Sequence, residues 1–198
     1  MNAGPFRTVS VIRGVRIGAL GVWTGALLMT GAAAAVAFPT MRDLDPLLPA
    51  YGAYPQDHWS IAAGHIMRRV FGISDWTQLF CAGAVALTLG IEIALAGWKK
   101  LGMAWRVRGA VMLAAIACAA YSALVLAVRM NGQLDVYWEA ARTGDIETAQ
   151  SVKAAFDQGH VLARQLMTAT FALVAAALVT SAIGSPCDAG ACAPREDA

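Results

Sequence analysis

Four stretches of this chain are so long and so apolar that they are built for lipid rather than water. A helix rising 1.5 Å per residue needs about 20 apolar residues to cross the roughly 30 Å hydrocarbon core of a bilayer. The windows run from about Ile17 to Phe38, Trp76 to Trp98, Gly109 to Val128 and Val161 to Ile183. The first and third carry no charge, the second holds only Glu92, and the fourth holds only Arg164 near its start. Backbone in hydrocarbon must satisfy its hydrogen bonds internally, so each window is expected to be helical. Pro39 and Pro186 follow the first and last windows and are expected to stop those helices. The expected fold is an all-α membrane protein, a four-transmembrane-helix bundle with outer amphipathic helices. Residues 1–183 form its single domain, and a flexible Gly/Pro/Ala-rich tail follows at 184–198.

Composition agrees with these windows. The chain is 58% hydrophobic and 14% charged, against about 45–50% and about 25% in soluble domains. This excludes disordered, collagenous and disulfide-scaffold classes. A net charge of +2 is too mild for a nucleic-acid footprint. The expected partners are the lipid bilayer and either a homo-oligomer or other membrane subunits. Ala35-Val36-Ala37 resembles a signal-peptide cleavage site, but the apolar stretch before it exceeds the usual 7–15 residues and reads as a retained span.

Orientation follows from basic residues at the span ends. Arg13, Arg16, Lys99, Lys100, Arg106 and Arg108 crowd one side, and most carboxylates fall on the other. The positive-inside rule therefore places both termini in the cytoplasm, here of a bacterial inner-membrane protein. The first outer segment, 41–75, is irregular around Pro46, Pro49, Gly52 and Pro55. Asp57 is then placed to cap a short helix from His58 to Ile73. On its wheel Ala63, Ile66, Met67, Val70, Phe71 and Ile73 share one side, and His65, Arg68, Arg69 and Gly72 share the other. Ile61 is the one misfit. Such a helix suits the membrane interface or a lid across the bundle.

The second outer segment, 131–159, reads as two helical pieces broken near Thr143-Gly144. Asp145 starts the second piece, which continues into the fourth span. Gln150, Lys153, Asp157, His160 and Arg164 form a polar stripe that descends about one turn into the apolar window. The stripe reads as i,i+3 and i,i+4 pairing with a snorkelling arginine, or as one wall of an outward-facing vestibule. The candidate vestibule residues are His65, Arg68, Arg69, Asp157, His160 and Arg164.

Glu92 is the one acid inside a span. It is expected to pair structurally, with proton or ion coupling as the functional alternative. Gly14, Gly18, Gly21 and Gly25 line one side of the first helix. Gly21 and Gly25 form a G-x-x-x-G that suits close helix packing. No hydrolase, kinase, P-loop or dinucleotide motif is present, so no catalytic residues are assigned. No cofactor or metal is predicted. Haem b is the nearest candidate, with His65 and His160, both near the outer surface, as the pair left open. Cys81 and Cys118 lie in apolar runs. Cys187 and Cys192 form a single pair in the tail, short of the four ligands that a zinc site takes.

Three groups of residues carry a family resemblance. They are Val22-Trp23-Thr24-Gly25 followed by Ala37-Phe38-Pro39, the segment Ala63-Gly64-His65-Ile66-Met67-Arg68-Arg69-Val70-Phe71, and Phe156-Asp157-Gln158-Gly159-His160. Together they resemble the domain-of-unknown-function 4149 family, which includes the transmembrane protein 205-like proteins, over about residues 16–183. The resemblance implies a four-span bundle with no settled biochemical activity and, for some members, an association with drug or metal-complex resistance. This chain departs from it in the order of Phe38 and Pro39 and in its cysteine-bearing tail. The functional expectation is a non-enzymatic packing or interaction protein. The alternatives are a transporter of a small solute, ion or metal complex, and a haem-binding redox protein.

Overall fold

The computed structural model describes residues 4–55, 58–97 and 102–183. Asp57, Lys99, Lys100, Pro186, Cys187, Cys192 and the tail lie outside the described residues. The described chain forms five α-helices: α1 (Gly4–Leu44), α2 (His58–Ala96), α3 (Met103–Tyr121), α4 (Ala127–Thr143) and α5 (Ile146–Ile183). A π-helical turn, Ser122–Leu126, joins α3 to α4 without a break, so α3 and α4 make one rod of 41 residues. The result is an all-α bundle of four rods, each long and apolar enough to cross a membrane. The rods run alternately up and down. α1 packs mainly on α2, and α5 packs on α3, α4 and α1.

Rods of 38 to 41 residues reach about 57–62 Å, roughly twice the thickness of the hydrocarbon core. One end, here the base, carries the N-terminus, the α2–α3 connection and the end of α5. The other end, here the crown, carries the α1–α2 connection and the α4–α5 turn. Within the apolar windows the outward-facing side chains include Val22, Leu28, Met29, Phe80, Leu87, Leu113 and Val179. That is the surface a lipid solvent requires.

Two expectations about helix ends are corrected. Pro39 does not stop the first helix; α1 continues to Leu44, with Pro39 inside it. Proline removes the bond to the carbonyl four residues back and crowds that carbonyl, but its fixed φ is itself helical, so a helix can pass through it. The helix ends instead at Asp45, whose φ of 41° is left-handed. The amphipathic segment from His58 is likewise no separate interfacial helix or lid. It is the first half of α2 and stands upright in the crown. Its wheel is right only in part, since Ala63 and Met67 are buried as expected. Ile61, the apparent misfit, is fully buried, whereas Ile66 and Ile73 are exposed.

The break near Thr143-Gly144 stands where the sequence places it. Gly144 adopts φ 80°, and Asp145 Oδ1 accepts the Thr148 N–H at 3.1 Å. These are local signals, a left-handed glycine followed by an acidic N-cap. A Cβ on Gly144 would also come within 3.1 Å of the Ala53 Cβ, so the turn lies tightly against the α1–α2 connection.

Candidate functional site: a cavity in the crown

Two apolar clusters hold the rods together. The larger, toward the base, is built from Leu20, Trp23 and Leu27 on α1, Val85 and Leu89 on α2, Trp105 and Met112 on α3, and Val174 and Ala177 on α5. The smaller, in the crown, joins Tyr54 and Ile61 to Tyr137, Trp138, Ala141 and Ala149. Between them the rods separate around a cavity of about 560 Å³, within the range of small-molecule sites.

All four rods wall this cavity. Its floor lies at Thr30, Gln78, Ser122 and Thr170, inside the apolar windows, and its upper wall includes Trp59, Trp138 and Lys153. The floor residues are polar by name but present little polarity. Thr30 Oγ1 donates to the Ala26 carbonyl and Thr170 Oγ1 to the Leu166 carbonyl, each at 2.8 Å. Trp23 Nε1 donates to Gln78 Oε1 at 3.3 Å below the floor. The remaining wall is largely apolar, with Phe38, Phe71, Leu126, Met130, Leu134 and Phe156.

The polar stripe of α5 faces this space. Lys153, Asp157, His160 and Arg164 all line it, whereas Gln150 does not. From α2 come Arg68 and Asp75, but neither His65 nor Arg69. Four of the six expected vestibule residues, Arg68, Asp157, His160 and Arg164, are therefore brought together, and two are not. Arg69 is exposed. His65 stacks on Trp138 with ring centroids 3.8 Å apart, and its Nε2 lies 3.1 Å from the Tyr51 hydroxyl. It braces the crown from outside the cavity, so His65 and His160 do not present two imidazoles to one space. Among the described residues no group of three or more His, Cys, Asp or Glu side chains is placed to hold a metal.

Most charges on the cavity wall are already paired. Arg68 makes a two-pronged contact with Asp135, its Nη2 3.1 Å from Oδ2, and lies over the Trp138 ring. Lys153 Nζ donates to Asp157 Oδ2 at 3.0 Å. This is an i,i+4 pair along α5, as the spacing of the stripe predicts. Arg164 has no ion pair with any described residue. The Asp75 carboxylate receives the Gln78 amide at 3.5 Å.

The α1–α2 connection is fastened to the start of α2. His58 Nδ1 accepts the Leu48 N–H at 3.1 Å, and its Nε2 lies 2.7 Å from the Tyr54 carbonyl. Burial pushes the Tyr51 phenol above its ordinary pKa, so it remains a neutral hydrogen-bonding group beside His65.

Glu92 is far from this cavity. At the base its Oε2 lies 2.6 Å from Arg16 Nη1 and accepts the Trp105 indole N–H at 2.8 Å. The Arg16 contact is an ion contact without hydrogen-bond alignment, and Arg16 Nε has no acceptor among the described residues. Arg13 Nη2 donates to the carbonyls of Ser181 and Ala182 at 2.9 and 3.0 Å, placing a cation at the negative end of α5. Sequence reasoning missed Arg16, Arg13 and Trp105 as partners. All three were visible, but nothing local says which rod they reach.

The glycine stripe of α1 has no partner within the described residues. No atom outside the local backbone lies within 4 Å of a Cβ placed at Gly14, Gly18, Gly21 or Gly25. No family model, curated protein or solved structure matches this chain.

Proposed function

We propose that this chain is a non-enzymatic membrane bundle that holds a small molecule in its crown cavity, either as a binding protein or as a transporter. The cavity is the observation that carries this reading. A bundle serving only to pack rods has no use for about 560 Å³ of space lined by four elements. The crowding of basic residues toward the base supports cytoplasmic termini in a bacterial inner membrane, with the crown facing outward. Membership of the domain-of-unknown-function 4149 family remains part of this proposal, on the residues given above. A second reading, packing against another membrane protein, is favoured by the unpartnered Gly14–Gly25 stripe.

One preparation tests both readings. The protein is extracted into a polymer that carries its own lipid annulus, and everything that copurifies is identified by mass spectrometry. A stoichiometric small molecule, lost when Ala163 on the cavity wall is replaced by Trp, is the expected result. A stoichiometric protein partner with no small molecule would favour the packing reading. Orientation is checked separately. A cysteine introduced at position 100 is expected to resist an impermeant thiol reagent in intact cells.

A further inference from the structure

We infer that the crown cavity takes a single-chain amphiphile with an anionic head group, admitted sideways from the bilayer through the seam between α1 and α5. The inference rests on the small-molecule reading above and names the class of molecule. It stands on the shape of the cavity, a thin-walled seam at hydrocarbon depth, and one unpaired cation at head-group depth.

The cavity is tall and narrow. From Thr170 to Lys153 its wall on α5 spans seventeen residues, or about 25 Å at the helical rise. A volume of about 560 Å³ over that height makes the space much longer than it is wide, the shape of an extended hydrocarbon chain. Its lower half, at the level of Gly31, Met167 and Thr170, lies inside the apolar windows.

A shallow apolar groove runs along the α1–α5 seam, walled by Leu27, Ala35, Thr168 and Phe171, and it shares Gly31 and Met167 with the cavity. Gly31 and Met167 thus form the thin wall between the cavity and the lipid-facing groove. A Cβ at Gly31 would meet nothing within 4 Å, so nothing is packed against the wall at that position. A seam at this depth faces hydrocarbon, which a water-soluble solute would have to cross and an acyl chain already occupies.

The head group is assigned by charge. Among the cations on the wall, Arg68 is held by Asp135 and Lys153 by Asp157, while Arg164 has no described carboxylate partner. Arg164 sits about one turn inside the crown-side boundary of the fourth window, where a chain lying in the cavity would place its head. His160 lies one turn above it and also lines the cavity. An arginine there gains most from a carboxylate or phosphate, which its planar donors match. The Asp75 carboxylate, also on the wall, is engaged by the Gln78 amide.

The test uses the full chain in vesicles of phosphatidylethanolamine and phosphatidylglycerol, with a fatty acid bearing a diazirine near the middle of its chain. Photolabelling is expected to map to residues 31–34 and 167–170. Excess oleate should reduce it about tenfold and oleyl alcohol much less, because the alcohol lacks the charge Arg164 pairs with. Arg164→Gln should lower labelling about tenfold, and Gly31→Phe, which plugs the seam, should abolish it. Gly18→Phe, lower on the same helix, should leave labelling unchanged. If Gly31→Phe does not fold, Gly31→Leu replaces it, and cooperative thermal unfolding qualifies each variant. Labelling confined to lipid-facing side chains and indifferent to oleate overturns the inference. A water-soluble compound copurifying with the cavity would then leave the small-molecule reading standing. Equal competition by oleyl alcohol overturns the anionic head group.

Discussion

At the base of the bundle Arg16 and Glu92 meet inside the protein, with side chains 3% and 9% exposed. In the crown, Arg68 and Asp135 meet at 33% and 58%, and Lys153 and Asp157 at 38% and 58%. Both ends use ion pairs between or along rods, yet they do different work. The base pair is enclosed by the larger apolar cluster and takes a third contact from Trp105. Neither charge can be rescued by solvent, so each depends on the other. The crown pairs are wetted and border a space the rods leave open, so their removal exposes nothing to hydrocarbon. The base is where the rods are locked together, and the crown is where they leave space between them.

The largest test of this contrast is Glu92→Ala. Stranding the Arg16 guanidinium inside the bundle should cost about 3–5 kcal/mol, read as a lowered unfolding midpoint in mild detergent. The double change Arg16→Met with Glu92→Leu should recover most of the loss, because it removes both charges together. Next comes Arg68→Ala, whose pair with Asp135 is exposed. It should cost about 0–1 kcal/mol, and a loss as large as that of Glu92→Ala would break the contrast between the two ends.

The smallest effect is at the α4–α5 turn. The hydrogen bonds from Thr148 hold the Asp145 carboxyl below its ordinary pKa. Its charge therefore adds stability above the ordinary carboxylate range, near about pH 4, and that contribution is lost as the pH falls through the folded-state value. Asp145→Asn should lower the thermal midpoint slightly at neutral pH. The difference from the parent should vanish on acidification.

What the sequence made legible follows the range of each signal. The four windows were legible because hydropathy over 20 residues is a local sum. The Gly144-Asp145 break was legible because a left-handed glycine and an acidic cap act on their own neighbours. The α5 stripe was legible because it repeats with the helix. Continuity was not. The change from apolar window to amphipathic segment near Asp75 marks where the solvent changes, and it was taken for the end of an element. α2 passes through it unbroken.

Pro39 misled in a similar way, since a lost hydrogen bond and a crowded carbonyl burden a helix without having to end it. Partners across rods were beyond local reach as well. Arg68 enters the cavity while its neighbours His65 and Arg69 do not, because a helical wheel orders the residues of one rod without locating the next. The Arg16–Glu92 contact joins positions far apart in sequence.

The π turn at Ser122–Leu126 sets how α4 faces its neighbours. A π turn accommodates one more residue than an α turn, and one residue of α-helix is worth about 100° of rotation. Everything from Ala127 to Thr143 is thus turned by roughly that angle against an uninterrupted continuation of α3. In its present setting Tyr137 and Trp138 point into the crown, with Trp138 against Gly64 and His65. Deleting a single residue between 122 and 126 would leave the rod apolar, helical and long enough to cross the membrane. It would also swing Trp138 toward the outside and carry Leu134 and Tyr137 off the cavity wall. For this rod, angular phase is a quantity separate from hydropathy and length, and five residues hold it.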